Sequence, residues 1–141
     1  MTTPSSARLR QQVTERANNC CEYCRVSQED IFFRFELDPI IAEEHGSVSV
    51  ENNLGLSCPE CNAGKGSDIS ALDFETGKFT PLYNPRQQRW ADHFRLNDAK
   101  IEPLTPEGRV TVFLLRLNHL DRITDRQLLL QEDRYPCRQD T

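Results

Sequence analysis

Four of the six cysteines in this 141-residue chain fall in two close pairs, Cys21-x-x-Cys24 and Cys58-x-x-Cys61. Two intervening residues let both thiolates of a knuckle reach one ion. Two such knuckles complete the closed, all-thiolate, tetrahedral set typical of structural zinc. A redox-active dithiol needs only one pair, so two pairs favour a metal. The 33 residues between the pairs exceed a short zinc finger, so the ion is expected to fasten two distant parts of the chain. Such a clip suits a domain with a modest core. Cys20 is one place out of register and Cys137 has no evident partner. Cys20 is read as a bystander that could compete with Cys21, and a metal rather than disulfides is expected to hold the cysteine pairs.

The elements that must carry these knuckles can be sketched from pattern alone. Thr3 and Ser5 are candidate caps with Pro4 in the first turn, and Leu9, Val13 and Ala17 recur at helical spacing up to Asn18-Asn19. Phe32 to Ile41 is apolar and aromatic and reads as a strand, with Pro39 marking an edge, a bulge or its end. A polar loop, 43–52, leads to a second short strand at Asn53-Leu54-Gly55-Leu56. Pro59 then opens a helix toward Lys65, and Gly66 closes it. Turns are expected at Glu75-Thr76-Gly77 and Asn84-Pro85, with helices at 87–94, from Thr105 through Leu117, and at 123–131. The resulting class is α+β: one domain over 1–141, with an N-terminal helix (1–19), a zinc-stapled core (20–68) and a mostly helical C-terminal extension (69–141).

The core resembles a known family. Glu36-Leu37-Asp38-Pro39-Ile40-Ile41, His45-Gly46, Asn53-Leu54 and the Cys58–Gly66 run with Asn62 and Lys65 look like the four-cysteine branch of the HNH endonucleases. Leu82-Tyr83-Asn84-Pro85-Arg86, Trp90, His93-Phe94, Thr105, Gly108–Thr111 and Leu117-Asn118 resemble the tail of bacterial members. The resemblance implies a ββα-metal fold and metal-dependent hydrolysis of phosphodiesters in nucleic acid, with DNA the expected substrate. It also implies roles by position. Asp38 and Asn62 would hold a catalytic Mg²⁺ or Mn²⁺, Asn53 would fix the loop, and Lys65 could meet a phosphate. Cys21, Cys24, Cys58 and Cys61 would hold the structural zinc.

Three positions depart from the family: Ala42 and Ser47, mildly, where relatives commonly have Pro and Gly, and Pro39. The strand histidine that acts as general base is Pro39 here. Proline cannot take a proton from water, and general-base catalysis contributes about 10²–10⁴-fold. Three accounts stay open: a natural member without this base, a single-base change of a His codon, or rescue by His45, Glu43 or Glu44. His93 and His119 are read as partly buried structural histidines, and Trp90 as core.

The net charge of −5 argues against a nucleic-acid partner, but its distribution does not. Residues 1–80 carry 7 basic and 13 acidic side chains, while 81–141 carry 10 basic and 9 acidic. Fourteen of the 17 basic residues are arginine, the side chain best suited to bidentate phosphate contact. The rival readings are a catalytically inactive nucleic-acid-binding zinc module and a zinc-stapled interaction protein. No apolar run approaches a membrane span, and the polar N-terminus lacks an h-region. A cytoplasmic chain with no membrane partner is therefore expected. Restriction, mobile elements and phage defence are all open as settings.

Overall fold

In the computed structural model, residues 6–42 and 51–138 are described. The expected caps Thr3 and Ser5, Pro4, and the loop residues Glu43, Glu44, His45, Gly46 and Ser47 lie outside the described residues. Helix α1 (Ser6–Arg16) is followed by Asn18 and Asn19, both in the left-handed region with φ of 53° and 62°. Asparagine tolerates that conformation better than most residues, which is why the helix stops here. The first knuckle follows. The rest of the core is strand β1 (Glu36–Pro39), strand β2 (Leu54–Ser57) and helix α2 (Pro59–Lys65).

β1 and β2 pair antiparallel, with Asp38 opposite Gly55 and Pro39 opposite Leu54. Pro39 is the last residue of its strand, so its missing N–H breaks no ladder. The strand is much shorter than the apolar run Phe32–Ile41 predicts. Phe32 and Phe33 are 94 % and 68 % exposed and precede it in a bend. Phe35 alone of these three aromatics enters the core. The Cys58 Sγ accepts from the Cys61 N–H and caps α2, Pro59 begins it, and Gly66 ends it at φ +54°. Gly64 lets α2 approach its neighbour: a Cβ there would meet Leu115 Cα at 3.0 Å.

The extension contains more strand than the sequence pattern reveals. Two hairpins, β3 (Ser70–Asp73) with β4 (Lys78–Pro81) and β5 (Phe94–Asn97) with β6 (Lys100–Pro103), flank the single-turn helix α3 (Trp90–His93). Helices α4 (Pro106–Leu114) and α5 (Leu120–Gln131) complete it. Thr105 caps α4 through Gly108 N–H, as its sequence predicts. One apolar cluster joins both halves: Val13, Tyr23, Phe35 and Leu56 from the core pack with Tyr83, Trp90, Phe94, Ile101 and Leu117.

The expectation for Cys20 and Cys137 is corrected. The two form a disulfide across 117 residues, with Cα atoms 5.7 Å apart. The C-terminal segment returns to the first knuckle, where Cys137 N–H donates to Arg25 O and Tyr135 Oη–H to Cys24 O. Proximity created by the fold, invisible in spacing, makes them partners. Among the described residues no helix is long and apolar enough to cross a membrane.

Candidate metal and nucleic-acid site

The four paired cysteines converge. The Sγ atoms of Cys21, Cys24, Cys58 and Cys61 all lie within 4.8 Å of one another, and all four residues are buried. Cys24 and Cys58 sulfurs are 3.7 Å apart. Tetrahedral zinc with Zn–S of about 2.3 Å requires S···S of about 3.8 Å, so the donor set fits. Backbone amides support it: Cys58 N–H donates to Cys21 Sγ at 3.3 Å. Hydrogen bonds from the neighbouring thiols hold Cys24 well below the ordinary thiol range. Burial pushes Cys61 up.

Arg122 on α5 is the counter-charge to this cluster. Its Nη2 lies 2.9 Å from Cys61 Sγ and 3.8 Å from Cys58 Sγ, while Nη1 donates to Leu115 O at 2.6 Å. Burial works against its charge, but the sulfurs of Cys61, Cys24 and Cys58 outweigh that and raise its pKa. The sequence offered only one signal: arginines at 122 and 126, four apart on the buried face of α5.

The two residues inside the first knuckle brace the strand pair. Tyr23 Oη–H donates to Asp38 Oδ2 at 2.9 Å. Glu22 N–H donates to Leu56 O at 2.9 Å, and Leu56 N–H donates to Glu22 Oε2 at 2.8 Å. Thus the cysteines that could hold a metal also position Asp38.

Asp38 is 1 % exposed and no ordinary surface carboxylate. Its Oδ1 accepts from Lys65 Nζ at 3.3 Å, and the same ammonium reaches Pro39 O and Ile40 O at 3.3 and 3.1 Å. Lys65 is 2 % exposed and turned inward, so it does not face a phosphate as the resemblance implied. Burial raises the Asp38 pKa, against the pull of Lys65 and Tyr23. Asn53 clamps the end of the first strand: its Oδ1 accepts from Ile41 N–H at 3.1 Å and its Nδ2 donates to Ile41 O at 2.9 Å. Asn62 lies on α2, one turn before Lys65, and is partly buried. Its side chain makes no hydrogen bond to the described residues, which leaves its carbonyl oxygen available. Pro39 offers only its carbonyl, already taken by Lys65.

The sequence profile described as HNH endonuclease matches residues 21–68. This segment begins at the first knuckle and ends just past α2, so it covers both strands and all four metal-competent cysteines. Residues 21–68, about a third of the chain, are thus similar to the HNH endonuclease family. A longer likeness extends beyond it: the Septu protein PtuB of Bacillus thuringiensis is 28 % identical over 118 residues, 82 % of this chain and 43 % of that protein. The chain thus spans less than half the length of this relative. No solved structure matches the chain significantly.

The two described histidines both lie in the extension, outside residues 21–68. His93 Nδ1 lies 2.6 Å from Thr105 Oγ1 beside Tyr83, joining α3 to the start of α4. His119 caps α5, its Nδ1 accepting from Asp121 N–H at 3.2 Å. His93 is buried as expected, whereas His119 is exposed, against expectation, and serves as a helix cap. Trp90 is buried, and its Nε1–H donates to Tyr23 O at 2.8 Å.

Proposed function

We propose that this chain is an HNH endonuclease scaffold that acts on nucleic acid, DNA being the expected polymer, and that Pro39 slows its hydrolysis. One observation supports the reading: Asp38 on β1, Asn53 just before β2 and Asn62 on α2 lie within the segment similar to HNH endonucleases, beside the four converging cysteines. Zinc is the metal best suited to the all-sulfur set, where it would act as a fastener. Metal analysis of the purified chain is expected to return about one zinc per molecule.

Asp38 and Asn62 are the residues proposed to hold a catalytic Mg²⁺ or Mn²⁺. Such an ion would neutralise charge building on the scissile phosphate and the leaving oxygen. Asn62 has its carbonyl oxygen free for this. Asp38 requires Lys65 to release Oδ1, because both of its oxygens are engaged. Asn53 keeps the strand end in place through its paired bonds to Ile41. With proline at position 39, water activation must come from another group, and His45, Glu43 and Glu44 remain the candidates.

A second reading has its own support. The Lys65–Asp38 pair and Pro39 together favour a module that binds nucleic acid without cutting it. Conversion of supercoiled plasmid in Mg²⁺ or Mn²⁺ separates the two. Slow nicking that disappears in Asp38→Asn supports the endonuclease reading. Plasmid that is bound but left intact by the unmodified chain supports the second. Equal nicking by both proteins removes Asp38 from the chemistry.

A further inference from the structure

A cavity of about 250 Å³ outside the Asp38 and cysteine sites gathers four arginines from separate parts of the chain. Arg16 ends α1, Arg25 follows the first knuckle, Arg86 follows Asn84-Pro85, and Arg89 precedes α3. Glu22 is the only acidic residue in the lining. In a chain of net charge −5 this is a local excess of three positive charges.

The one acid offsets a single arginine and leaves the other three charges uncompensated. Glu22 Oε2 accepts from Leu56 N–H, and Oε1 is paired with Arg86 Nη2. Arg86 Nη1 and Arg25 Nε are buried and have no hydrogen-bond partner among the described residues. Buried donors are nearly always satisfied, so two unsatisfied guanidinium nitrogens in one cavity call for an acceptor. Arg89 is exposed, and its guanidinium has no ion-pair or hydrogen-bond partner among the described residues. The other arginines that approach acids, such as Arg95 with Glu102 and Arg109 with Asp73, are already paired.

The cavity is also built rather than incidental. The Arg25 guanidinium carbon sits 4.9 Å from the Trp90 ring centroid, a cation–π contact that fixes its plane. Arg16 Nη1 donates to Glu51 O at 2.8 Å, and Nη2 to Leu54 O. The cavity adjoins the HNH core directly. A Cβ on Gly55, the partner of Asp38, would meet Glu22 Oε2 at 3.3 Å and Pro85 Cγ at 3.7 Å.

We propose that the Arg16–Arg25–Arg86–Arg89 cavity binds a backbone phosphate of the nucleic-acid strand and sets its position beside the Asp38–Asn62 core. This rests on the nucleic-acid reading above and adds a positioning site to it. Planar guanidinium donors match a phosphate's oxygens, and each phosphate neutralised steepens the salt dependence of binding.

The test is fluorescence anisotropy of a labelled short duplex across a salt series, without divalent metal. Arg89→Ala is exposed and spares the fold; Arg25→Gln is the second variant, used with its melting temperature. Each is expected to reduce the slope of log K against log salt by about 0.9. Arg95→Ala, on the β5–β6 hairpin, is expected to leave it unchanged. A slope in Arg89→Ala equal to that of the unmodified chain overturns the proposal. So does binding of inorganic phosphate without any duplex binding, which points to a small-anion site. A chain that binds with an Arg89-dependent slope but cuts nothing loses the hydrolytic reading and keeps the cavity.

Discussion

Replacing Arg122 by methionine removes the one cationic side chain that, among the described residues, touches the cysteine cluster. Four thiolates around a divalent ion carry a formal charge of 2−, and they are buried. The guanidinium 2.9 Å from Cys61 Sγ offsets part of that charge. A hydrogen bond to a charged group contributes about 1.5–3 kcal/mol. Loss of a group that supports a metal ligand typically weakens metal binding by about 10–100-fold, which is roughly 1.4–2.7 kcal/mol. The two routes agree. Arg122 also donates to Leu115 O, so Arg122→Met loses stability even without metal. Arg122→Lys separates the effects by keeping the charge and losing the fork. Competition with a chromophoric zinc chelator is expected to show Arg122→Met weakened by about 10–100-fold and Arg122→Lys less so. Zinc held by Arg122→Met as tightly as by the unmodified chain would refute the charge argument.

Two further outcomes follow from named contacts. Asn53→Ala loses both bonds to Ile41 and is expected to cost about 1–2 kcal/mol, read as a lower thermal midpoint; an unchanged midpoint would show that the clamp is idle. Asp73 accepts two hydrogen bonds of 2.9 Å from Arg109, which hold its carboxyl well below the ordinary 3.8. A depressed folded-state value means the pair stabilises the fold above that ordinary value and ceases to as pH falls toward the folded one. The stability gap between the unmodified chain and Asp73→Asn should therefore shrink from pH 7 into strong acid, and a constant gap would contradict this.

How much of this was legible in the sequence depends on the range of the interactions. The C-x-x-C pairs, the Pro59–Gly66 helix and the Thr105 cap are short-range chemistry, and the structure places them where spacing predicts. The Phe32–Ile41 run misled, because apolarity there does not mark strand: Phe32 and Phe33 stay outside. Hairpins β3–β4 and β5–β6 have four-residue strands, with exposed apolar residues such as Leu72 and Phe79, too short for a period to register. Partners far apart in sequence left no trace. Arg122 and Cys61, Cys20 and Cys137, and Glu22 and Arg86 meet only because the extension folds back over the core. Asp38 was legible as a position, but its capture by Lys65 and Tyr23 was not.

The central claim is that this is a nuclease scaffold slowed at one residue, and Pro39→His tests it most directly. Supercoiled plasmid is incubated with Mg²⁺ or Mn²⁺ and either the unmodified chain or Pro39→His, at equal zinc content and equal thermal midpoint. The account predicts nicking faster by about 10²–10⁴-fold in Pro39→His, the usual contribution of a general base. A Pro39→His protein that folds, holds its zinc and cuts no faster than the unmodified chain would contradict it.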